Sequence, residues 1–426
     1  MIRIVSTQDE SVESLLQART ISRDSETEMV VRTIIDDVAN RGDLALLESG
    51  RRFDCPTLSS LLATDDRVSL SDIHADALLA AADRILRFHQ TQFSVMTSAL
   101  VDLKWQMPGL ADQVGQRLIP LSRVGVYVPG GRATYPSSVL MNALPAVAAG
   151  VKEIVICSPA SSDGRLADSV LTAVDLVGAS TTVVKVGGAA AIAAMALGTE
   201  SVPKVDKIVG PGNRFVNEAK RQLWGRVGLD GYAGPSEVAV LADDSANATF
   251  AAADLLTQIE HAPDNAAFLI CVSRGKLDAI LGEVERLLIG SSHEDVMRAA
   301  LTKESLAILA RDLDEACDLV NLIAPEHLTL MVKDDVSGRI VNAGCILMGD
   351  FTPESAADWV IGPSHTLPTS RAARFGSPVN VLDFLKVQSL SRLSAESLAA
   401  LQPTIDAVGE MEGFEMHALA ARLRSM

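Results

Sequence analysis

A regular alternation of strand-like and helix-like segments between residues 118 and 350 constrains the fold more than any other feature of the sequence. Apolar runs such as KEIVICSPA, TTVVKVGG, VDKIVGPGN and AAFLICVS alternate with helical runs such as ADSVLTAVDLVG and KLDAILGEVERLL. Short buried strands joined by helical crossovers are typical of βαβ units, whose strands lie parallel. The sequence therefore predicts an α/β protein with parallel sheets.

This alternation falls into two successive blocks, which meet near Gly234-Pro235-Ser236. Helical periodicity over 9–50 and 72–100 precedes the blocks, and a comparatively polar, helical stretch follows from Arg371. The predicted divisions are a helical N-terminal region 1–117, a first α/β domain 118–236, a second α/β domain 237–370 and a C-terminal arm 371–426.

Composition excludes several classes of partner. Of the 426 residues, 48% are hydrophobic and only 4% are aromatic, so the cores must be built from Ala, Val, Leu and Ile. A net charge of −17 argues against a nucleic acid or an anionic membrane as partner, because both favour basic patches.

The N-terminus, MIRIVSTQDESVESLLQ, lacks the apolar stretch of a signal peptide, and no apolar run reaches the roughly 20 residues of a membrane span. The five cysteines are widely spaced and never form C-x-x-C, which argues against a disulfide framework and a thiolate zinc finger. Cys157 and Cys271 lie in apolar runs and are predicted to be buried strand residues. Together these features predict a cytoplasmic protein.

Two short motifs carry groups suited to metal binding or proton transfer. Gln258 and His261 stand at i, i+3 near a predicted helix end, a spacing that places both on one helix face. Glu326 and His327 put a carboxyl group and an imidazole side by side, and the preceding Pro325 suggests a helix start or a turn. Each motif also has an ordinary structural explanation: a helix-end cap with a solvated histidine, and a structural turn.

Two further stretches extend this set. Asp358 lies in the mainly apolar segment TPESAADW, where a charge needs a partner such as a metal; a helix cap built around Thr352 and Glu354 is the alternative. Glu412 and His417 lie on the predicted C-terminal arm, where His417 alone would pass for a surface histidine.

Two glycine-rich loops, VPGG at 128–131 and GPGN at 210–213, follow predicted strands. Exposed backbone N–H groups at such turns can hold phosphate, although neither loop matches the dinucleotide fingerprint G-x-G-x-x-G. Each loop is therefore interpreted either as a tight turn or as a cofactor-binding loop.

Taken in order, the motifs resemble one known family. The segments YVPGG, YPSSVLMNALPA, KVDKIVGPGN, AGPSE, ADLLTQIEH, IAPEHL, TPESAADW, HTLPT and a terminal E-x-x-x-x-H are similar to segments of histidinol dehydrogenases, over about residues 25 to 420. The resemblance implies two incomplete Rossmann-like domains in an intertwined homodimer. It also implies an NAD-linked oxidation of L-histidinol to L-histidine through the aldehyde, in two hydride transfers at a zinc site.

The resemblance assigns a role to each motif. His327 would be the general base that takes the hydroxyl proton, and Glu326 would assist hydration of the aldehyde as acid and base. Zinc would be held by Gln258, His261, Asp358 and His417, the last donated by the arm of the other subunit. Substrate contacts would come from these ligands and from Ser236, His327 and Glu412, with His365 nearby, and NAD contacts from Tyr127, Asn213 and position 190.

Some positions depart from the family pattern. Ala190 stands where the family usually has a glutamine that contacts the cofactor, a loss worth about 0.5–1.5 kcal/mol for one hydrogen bond. Ser364 replaces a common asparagine, and Ser377-Pro378-Val379-Asn380 replaces a more usual Ser-Gly-Leu-Ser. These departures bear on substrate and cofactor more than on reaction type, and so favour as an alternative a paralogue that oxidises another small amino or hydroxy alcohol. The further alternatives are a zinc-binding dimer without turnover and a metal-dependent hydrolase.

Overall fold

The computed structural model describes residues 2–9, 11–17, 24–64, 70–101, 104–105, 113–130, 133–231 and 234–424. Gly131 of the first glycine-rich loop and parts of the predicted helical stretch 9–50 lie outside these ranges. Within the described ranges, no helix is both long enough and apolar enough to cross a membrane.

Helices and strands alternate along most of the described chain. The helices are α1 Val12–Gln17, α2 Ser25–Arg41, α3 Asp43–Phe53, α4 Asp72–Val101, α5 Pro136–Ala148, α6 Asp168–Asp175, α7 Gly188–Leu197, α8 Arg214–Leu223, α9 Ala248–Thr257, α10 Arg274–Leu288, α11 Glu294–Lys303, α12 Leu313–Ile323, α13 Glu354–Trp359, α14 Ala395–Glu412 and α15 Glu415–Arg422. The strands are β1 Arg3–Ser6, β2 Lys104–Trp105, β3 Gln113–Pro120, β4 Arg123–Tyr127, β5 Glu153–Ser158, β6 Ser180–Lys185, β7 Lys207–Val209, β8 Gly228–Leu229, β9 Glu237–Ala242, β10 Ala266–Cys271, β11 Leu306–Leu309, β12 His327–Met331, β13 Cys345–Met348 and β14 Leu385–Arg392. Short 3₁₀ helices cover Ser337–Arg339, Ala372–Arg374 and Val381–Phe384.

The first α/β block forms a five-stranded parallel sheet in the order β6-β5-β4-β7-β8. From β4 the chain moves outward through β5 and β6, and α7 then leads it back to β7 on the other side of β4. This reversal makes the gap between β4 and β7 a topological switch point, the place where open α/β sheets commonly bind ligands at their carboxyl edge.

The second block forms a six-stranded parallel sheet in the order β1-β11-β10-β9-β12-β13, with its reversal between β9 and β12. The two parallel sheets confirm the predicted α/β class. Strand β1 lies in the region predicted to be helical, because a four-residue strand is too short to show a period-2 pattern.

The described chain divides into two compact units. The first contains Met1–Gln90 and Ser122–Phe384, and so holds both parallel sheets. The second contains Thr91–Leu121 and Leu385–Met426, where β14 pairs antiparallel with β3 over eight residues and β2 pairs with the other side of β3. The predicted C-terminal arm therefore holds strand β14 as well as α14 and α15. The domain limits drawn from the sequence stay a prediction.

Small aliphatic side chains build the cores, as the composition predicts. Helix α7 is buried at every position from Ala189 to Ala196, because alanines let it pack closely against its neighbours. Cys157 on β5 and Cys271 on β10 are both fully buried, which confirms their prediction as structural strand residues.

Candidate active site

The Glu326–His327 pair lies at the amino edge of the second sheet. Strand β12 begins at His327, whose register neighbours are Val238 on β9 and Cys345 on β13. Both side chains of the pair are buried, with 6% of Glu326 and 1% of His327 exposed. The pair thus opens a central strand, instead of the helix or turn that Pro325 suggested, because the following run HLTLM is fully buried and favours strand.

The carboxyl group of Glu326 is held by the neighbouring strand, where its Oε2 accepts a hydrogen bond of 3.0 Å from the backbone N–H of Glu237. Burial raises the pKa of Glu326 to about 8, against the opposing effect of His327. A carboxyl group with this pKa can both give and take a proton near neutral pH, which suits it to acid–base work.

Two carboxylates face His327 from helix α13. Glu354 and Asp358 are spaced i, i+4 and so share one helix face, and Asp358 Oδ1 lies 3.2 Å from His327 Nε2. One ligand atom from each of the three residues lies within 4.8 Å of the other two. Sequence reasoning treated Glu354 only as part of a helix cap, whereas Pro353 is the N-cap and no side chain caps the helix. The signal that it missed is the i, i+4 pair of acids in an apolar segment.

The charges of this cluster are strongly coupled. Burial opposes a charged imidazole, but Glu354, Asp358 and Glu326 together raise the pKa of His327 to about 10. Burial raises the pKa of Glu354 to about 7. Burial also opposes the charge of Asp358, but its hydrogen bond and charge interaction with His327 outweigh this and lower its pKa. The carboxyl groups of the cluster therefore strongly favour a positive charge beside them.

Gln258 reaches the same cluster from helix α9. The helix ends at Thr257, Gln258 is its buried C-cap, and the Gln258 Nε2 donates to Glu354 Oε1 at 2.6 Å and to Asp358 Oδ2 at 3.3 Å. His261 follows in the turn and is exposed, so the predicted common helix face is wrong. His261 nevertheless lies near enough for its charge to lower the pKa of Asp358.

Asn265 ties two parts of the site together and was missed by the sequence analysis. This buried residue donates from Nδ2 to the backbone carbonyl of Gln258 at 2.7 Å and accepts at Oδ1 from the backbone N–H of Ser236 at 3.1 Å. It thereby fixes the predicted substrate residue Ser236 relative to the C-cap of α9. Its sequence context, PDN before a strand, gives only a turn signal.

A small cavity adjoins His327. Its volume is about 40 Å³, and its walls include His327, Cys345, Ala357, Ser364, His365 and Pro378. His365 bonds through Nδ1 to the backbone carbonyl of Asp358 at 2.9 Å, and burial lowers its pKa, so its ring is neutral at pH 7. A space of this size holds a few water molecules, well short of the roughly 300 Å³ of a typical ligand pocket.

The remaining predicted substrate and metal residues belong to the second unit. Glu412 is the last residue of α14, and His417 lies on α15. Both are exposed, and the ring of Phe414 lies 5.3 Å from that of His417.

The predicted NAD residues lie on the first sheet and the helices beside it. Tyr127 ends β4 at the switch point, and its hydroxyl accepts a hydrogen bond of 3.1 Å from the backbone N–H of Gly188. Asn213 is the N-cap of α8, and its Oδ1 accepts from the second and third N–H groups of that helix. Only the Nδ2 group of Asn213 is therefore left to donate to a ligand. Ala190 lies within α7 with 1% of its surface exposed.

The cluster fits a divalent cation. Glu354 Oε2 is buried without a hydrogen-bond partner, and imidazole, carboxylate and amide groups converge on one place. This donor set of nitrogen and oxygen atoms suits zinc and similar metals. A cation bound there would supply the positive charge that protonated His327 otherwise supplies. The imidazole could then lose its proton and act as a base.

A buried imidazole held among carboxylates lies on one parallel sheet, and glycine-rich loops of the kind that can hold phosphate follow strands of the other. An acid–base cluster on such a two-sheet fold is typical of an α/β enzyme.

Comparison with known proteins gives the particular family. The family model of histidinol dehydrogenase matches residues 17–425. The chain is 44% identical over 409 residues to a histidinol dehydrogenase of Geobacter sulfurreducens, covering 94% of this chain and 93% of that one. It is 41% identical over 438 residues to that of Acinetobacter baylyi, with both chains fully covered. The crystal structure of the enzyme from Elizabethkingia anophelis aligns with a TM-score of 0.90 at 31% identity, covering 99% of this chain and 98% of that one. The chain belongs to the histidinol dehydrogenase family, which confirms the predicted resemblance and the prediction of a dehydrogenase.

Proposed function

We propose that this chain oxidises L-histidinol to L-histidine through L-histidinaldehyde, in two NAD⁺-linked steps that depend on zinc, in the last steps of histidine biosynthesis. The observation that carries the proposal is the group formed by buried Glu326, His327 and Glu354 with partly buried Asp358 at the amino edge of the second sheet. The family relationship, over nearly the whole chain, supports the choice of substrate.

In this proposal His327 removes the proton of the substrate hydroxyl. Its Nε2 faces Asp358 at 3.2 Å, so the carboxylate orients the ring and stabilises the imidazolium that forms. Glu326, with its pKa raised to about 8, then assists addition of water to the bound aldehyde by taking a proton from the attacking water, while the aldehyde oxygen gains one. Both residues lie at the start of strand β12, so both can serve two successive oxidations of the same substrate carbon.

Zinc would be held by Gln258, His261 and Asp358, with His417 of a second subunit. When bound, it would orient the imidazole and amino groups of the substrate, a templating role more than one of water activation. The close approach of Gln258 to Asp358 and the nearby charge of His261 support this set.

NAD⁺ would bind at the switch point of the first sheet and accept the hydride. Tyr127 and Asn213 lie where strands β4 and β7, on either side of this point, lead into the following connections. Tyr127 has its hydroxyl group and Asn213 its Nδ2 group available for a polar contact with the cofactor. The buried methyl group of Ala190 supplies no hydrogen bond in place of the usual amide, so we expect weaker cofactor binding than a glutamine would give.

We also propose a homodimer in which the C-terminal arm completes the partner's site. Several apolar side chains around His417 are exposed, notably Met411 at 78%, Phe414 at 53% and Met416 at 63%. An exposed apolar cluster of this kind is typical of a surface that contacts another protein chain. The cavity of about 40 Å³ beside His327 cannot enclose an amino alcohol by itself, so a further wall from a second subunit fits the proposal.

The test is a histidinol assay with stoichiometry. Purified, zinc-loaded protein with NAD⁺ should produce two NADH per histidine, and a chelator should abolish the reaction until zinc is restored. NADH formation no faster than in a reaction without protein would contradict the proposal.

A second candidate keeps the machinery and changes the alcohol. Pro378, in the segment that departs from the family pattern, lines the cavity beside His327 and His365. A panel of amino and hydroxy alcohols separates the two candidates, since histidinol should exceed the others by orders of magnitude in kcat/KM if the first is right.

A further inference from the structure

A buried ion pair lies beneath the second glycine-rich loop, away from the histidine cluster. Lys220 on α8 bonds through Nζ to Asp230 Oδ1 at 2.7 Å, and only 2% and 6% of the two side chains are exposed. A buried ion pair stabilises a fold little more than a well-packed apolar pair would, so its presence calls for another reason.

The pair holds both sides of a single loop residue, Gly210. Lys220 Nζ donates to the Gly210 carbonyl at 2.6 Å, and Asp230 Oδ2 accepts from the Gly210 N–H at 2.8 Å. Asp230 Oδ1 also accepts from the N–H of Gly231 at 2.9 Å. Two opposite charges thus fix the donor and the acceptor of one backbone residue at once.

Only glycine fits at position 210. Its φ of +117° is open to glycine alone, and a Cβ at this position would lie 2.2 Å from the backbone carbonyl oxygen of Tyr127. The loop is therefore pressed against the end of β4, across the switch point. Its far end is tied to α8, where Asn217 Nδ2 donates to the Gly212 carbonyl at 2.9 Å.

We propose that the Lys220–Asp230 pair is a positioning device that sets the Gly210–Asn213 loop for dinucleotide binding. The inference rests on the proposed NAD-linked function and adds to it two residues that touch neither substrate nor cofactor. The pair holds Gly210 against Tyr127, and so fixes the distance between the two connections that would contact the cofactor. Loss of the pair should weaken NAD⁺ binding and leave the histidine cluster, on the other sheet, unaffected.

The test compares Asp230→Asn, the double variant Lys220→Met/Asp230→Asn and a matched control. In the control, Asp383→Asn, the carboxylate also accepts from a lysine, Lys207 Nζ at 2.6 Å, and from a backbone N–H, that of Asn380 at 2.9 Å. Calorimetry gives the Kd for NAD⁺, kinetics give KM for both substrates, metal analysis gives zinc content, and hydrogen exchange reports the amides of residues 210–213.

For Asp230→Asn we expect a rise of about tenfold or more in the Kd and KM for NAD⁺, with faster exchange in the loop. The KM for histidinol and the zinc content should stay unchanged. The double variant leaves no unpaired buried charge, so it should regain thermal stability and keep the weak NAD⁺ binding. Asp383→Asn should lower stability and leave the Kd for NAD⁺ unchanged.

A folded Asp230→Asn or double variant with a Kd for NAD⁺ within about twofold of the wild type would overturn the inference. An equal rise in Asp383→Asn would also overturn it, because general loosening of the unit would then be the cause. If the wild-type protein itself does not bind NAD⁺, the proposed function fails along with the inference. This outcome is distinct, since it appears before any variant is made.

Discussion

At the scale of single residues, the site is defined by buried charge. Asp358 was predicted because a charge in an apolar segment needs a partner, and Glu326 and His327 because an adjacent carboxyl group and imidazole suit proton transfer. The structure places Asp358 Oδ1 3.2 Å from His327 Nε2. Glu354 was not predicted, because a glutamate just after a proline at a helix start has a sufficient local explanation. The sequence does not tell whether such a side chain points to water or inward; this depends on tertiary packing, here that of α13 against α9.

Replacement of His327 by asparagine tests the proposed base. Asparagine keeps a polar group of similar reach and removes the proton acceptor, so turnover should fall by about 10²- to 10⁴-fold. Zinc content should not change, because His327 is not among the proposed ligands. Steady-state kinetics and metal analysis on the same preparation check both statements; a wild-type rate would remove His327 from the mechanism.

Asp54 should make stability depend on pH. Burial raises its pKa to about 6, although the backbone N–H of Gly187 donates to the carboxylate and opposes this shift. The folded state then holds the proton more tightly than the unfolded chain, so the contribution of Asp54 to stability is greatest below about pH 4 and is lost as the pH rises through 6. Because the side chain is partly exposed, we expect a loss of about 1 kcal/mol.

Chemical unfolding of the wild type and of Asp54→Asn at pH 4.5 and pH 7 measures this effect. The free energy of unfolding of the variant minus that of the wild type should be about 1 kcal/mol larger at pH 7 than at pH 4.5. A pH-independent difference would show that the carboxyl group of Asp54 titrates normally.

At the scale of elements, the sequence predicted those whose pattern is local. Apolar runs and helical spacing, with turns at glycine and proline, predicted the strands β4 to β7, β9 and β10 and the helices α5 to α7, α9 and α10. They did not predict helix α8 or strand β8. Strand β14 was hidden, because its partner β3 lies more than 250 residues earlier and its own residues are mostly exposed. The end of α9 was predicted too late, since the QIEH segment keeps helical spacing after the helix has become a turn.

Two asparagine caps provide a matched pair for the next prediction. Asn213 caps α8 and Asn247 caps α9, each through Oδ1 to two backbone N–H groups at 3.0 to 3.3 Å. Replacement of either asparagine by alanine should cost about 1 kcal/mol of stability, the usual value of an N-cap. Only Asn213→Ala should also raise the KM for NAD⁺, because only this cap lies at the switch point of the first sheet, where NAD⁺ is proposed to bind.

Asn213→Asp separates the two roles of this residue. Aspartate is as good an N-cap as asparagine, so the free energy of unfolding should stay near that of the wild type, whereas the loss of Nδ2 should still raise the KM for NAD⁺. Denaturant unfolding and kinetics with varied NAD⁺ give the two quantities. An equal KM for NAD⁺ in Asn213→Ala and Asn247→Ala would count against a cofactor contact by Asn213.

At the scale of the whole molecule, the proposed NAD⁺ site and the histidine cluster lie at opposite edges of their two parallel sheets. The first keeps glycine-rich loops at its carboxyl edge, whereas the switch point of the second is bridged by Asp243, which donates to the Met331 carbonyl at 3.3 Å and accepts from the Lys333 N–H at 2.9 Å. The histidine cluster lies instead at the amino edge of the second sheet. No local pattern predicts this, because the cluster depends on where α9 and α13 end relative to β12. The sequence supplied the residues, through the family pattern, but not the edge at which they meet.

The proposed exchange of arms between subunits makes the last prediction. His261→Ala and His417→Ala should each lose zinc and activity as homodimers, because each removes a proposed ligand. If the arm completes the partner's site, a mixed dimer of the two variants has one site with both defects and one site that is fully intact. Random pairing makes half of the dimers mixed, so co-expressed variants should regain about a quarter of the wild-type activity and zinc. If the arm served its own subunit, every site would lack one ligand and co-expression would restore nothing. Tandem purification on two different tags isolates the mixed dimer, in which one zinc per dimer is the expected content.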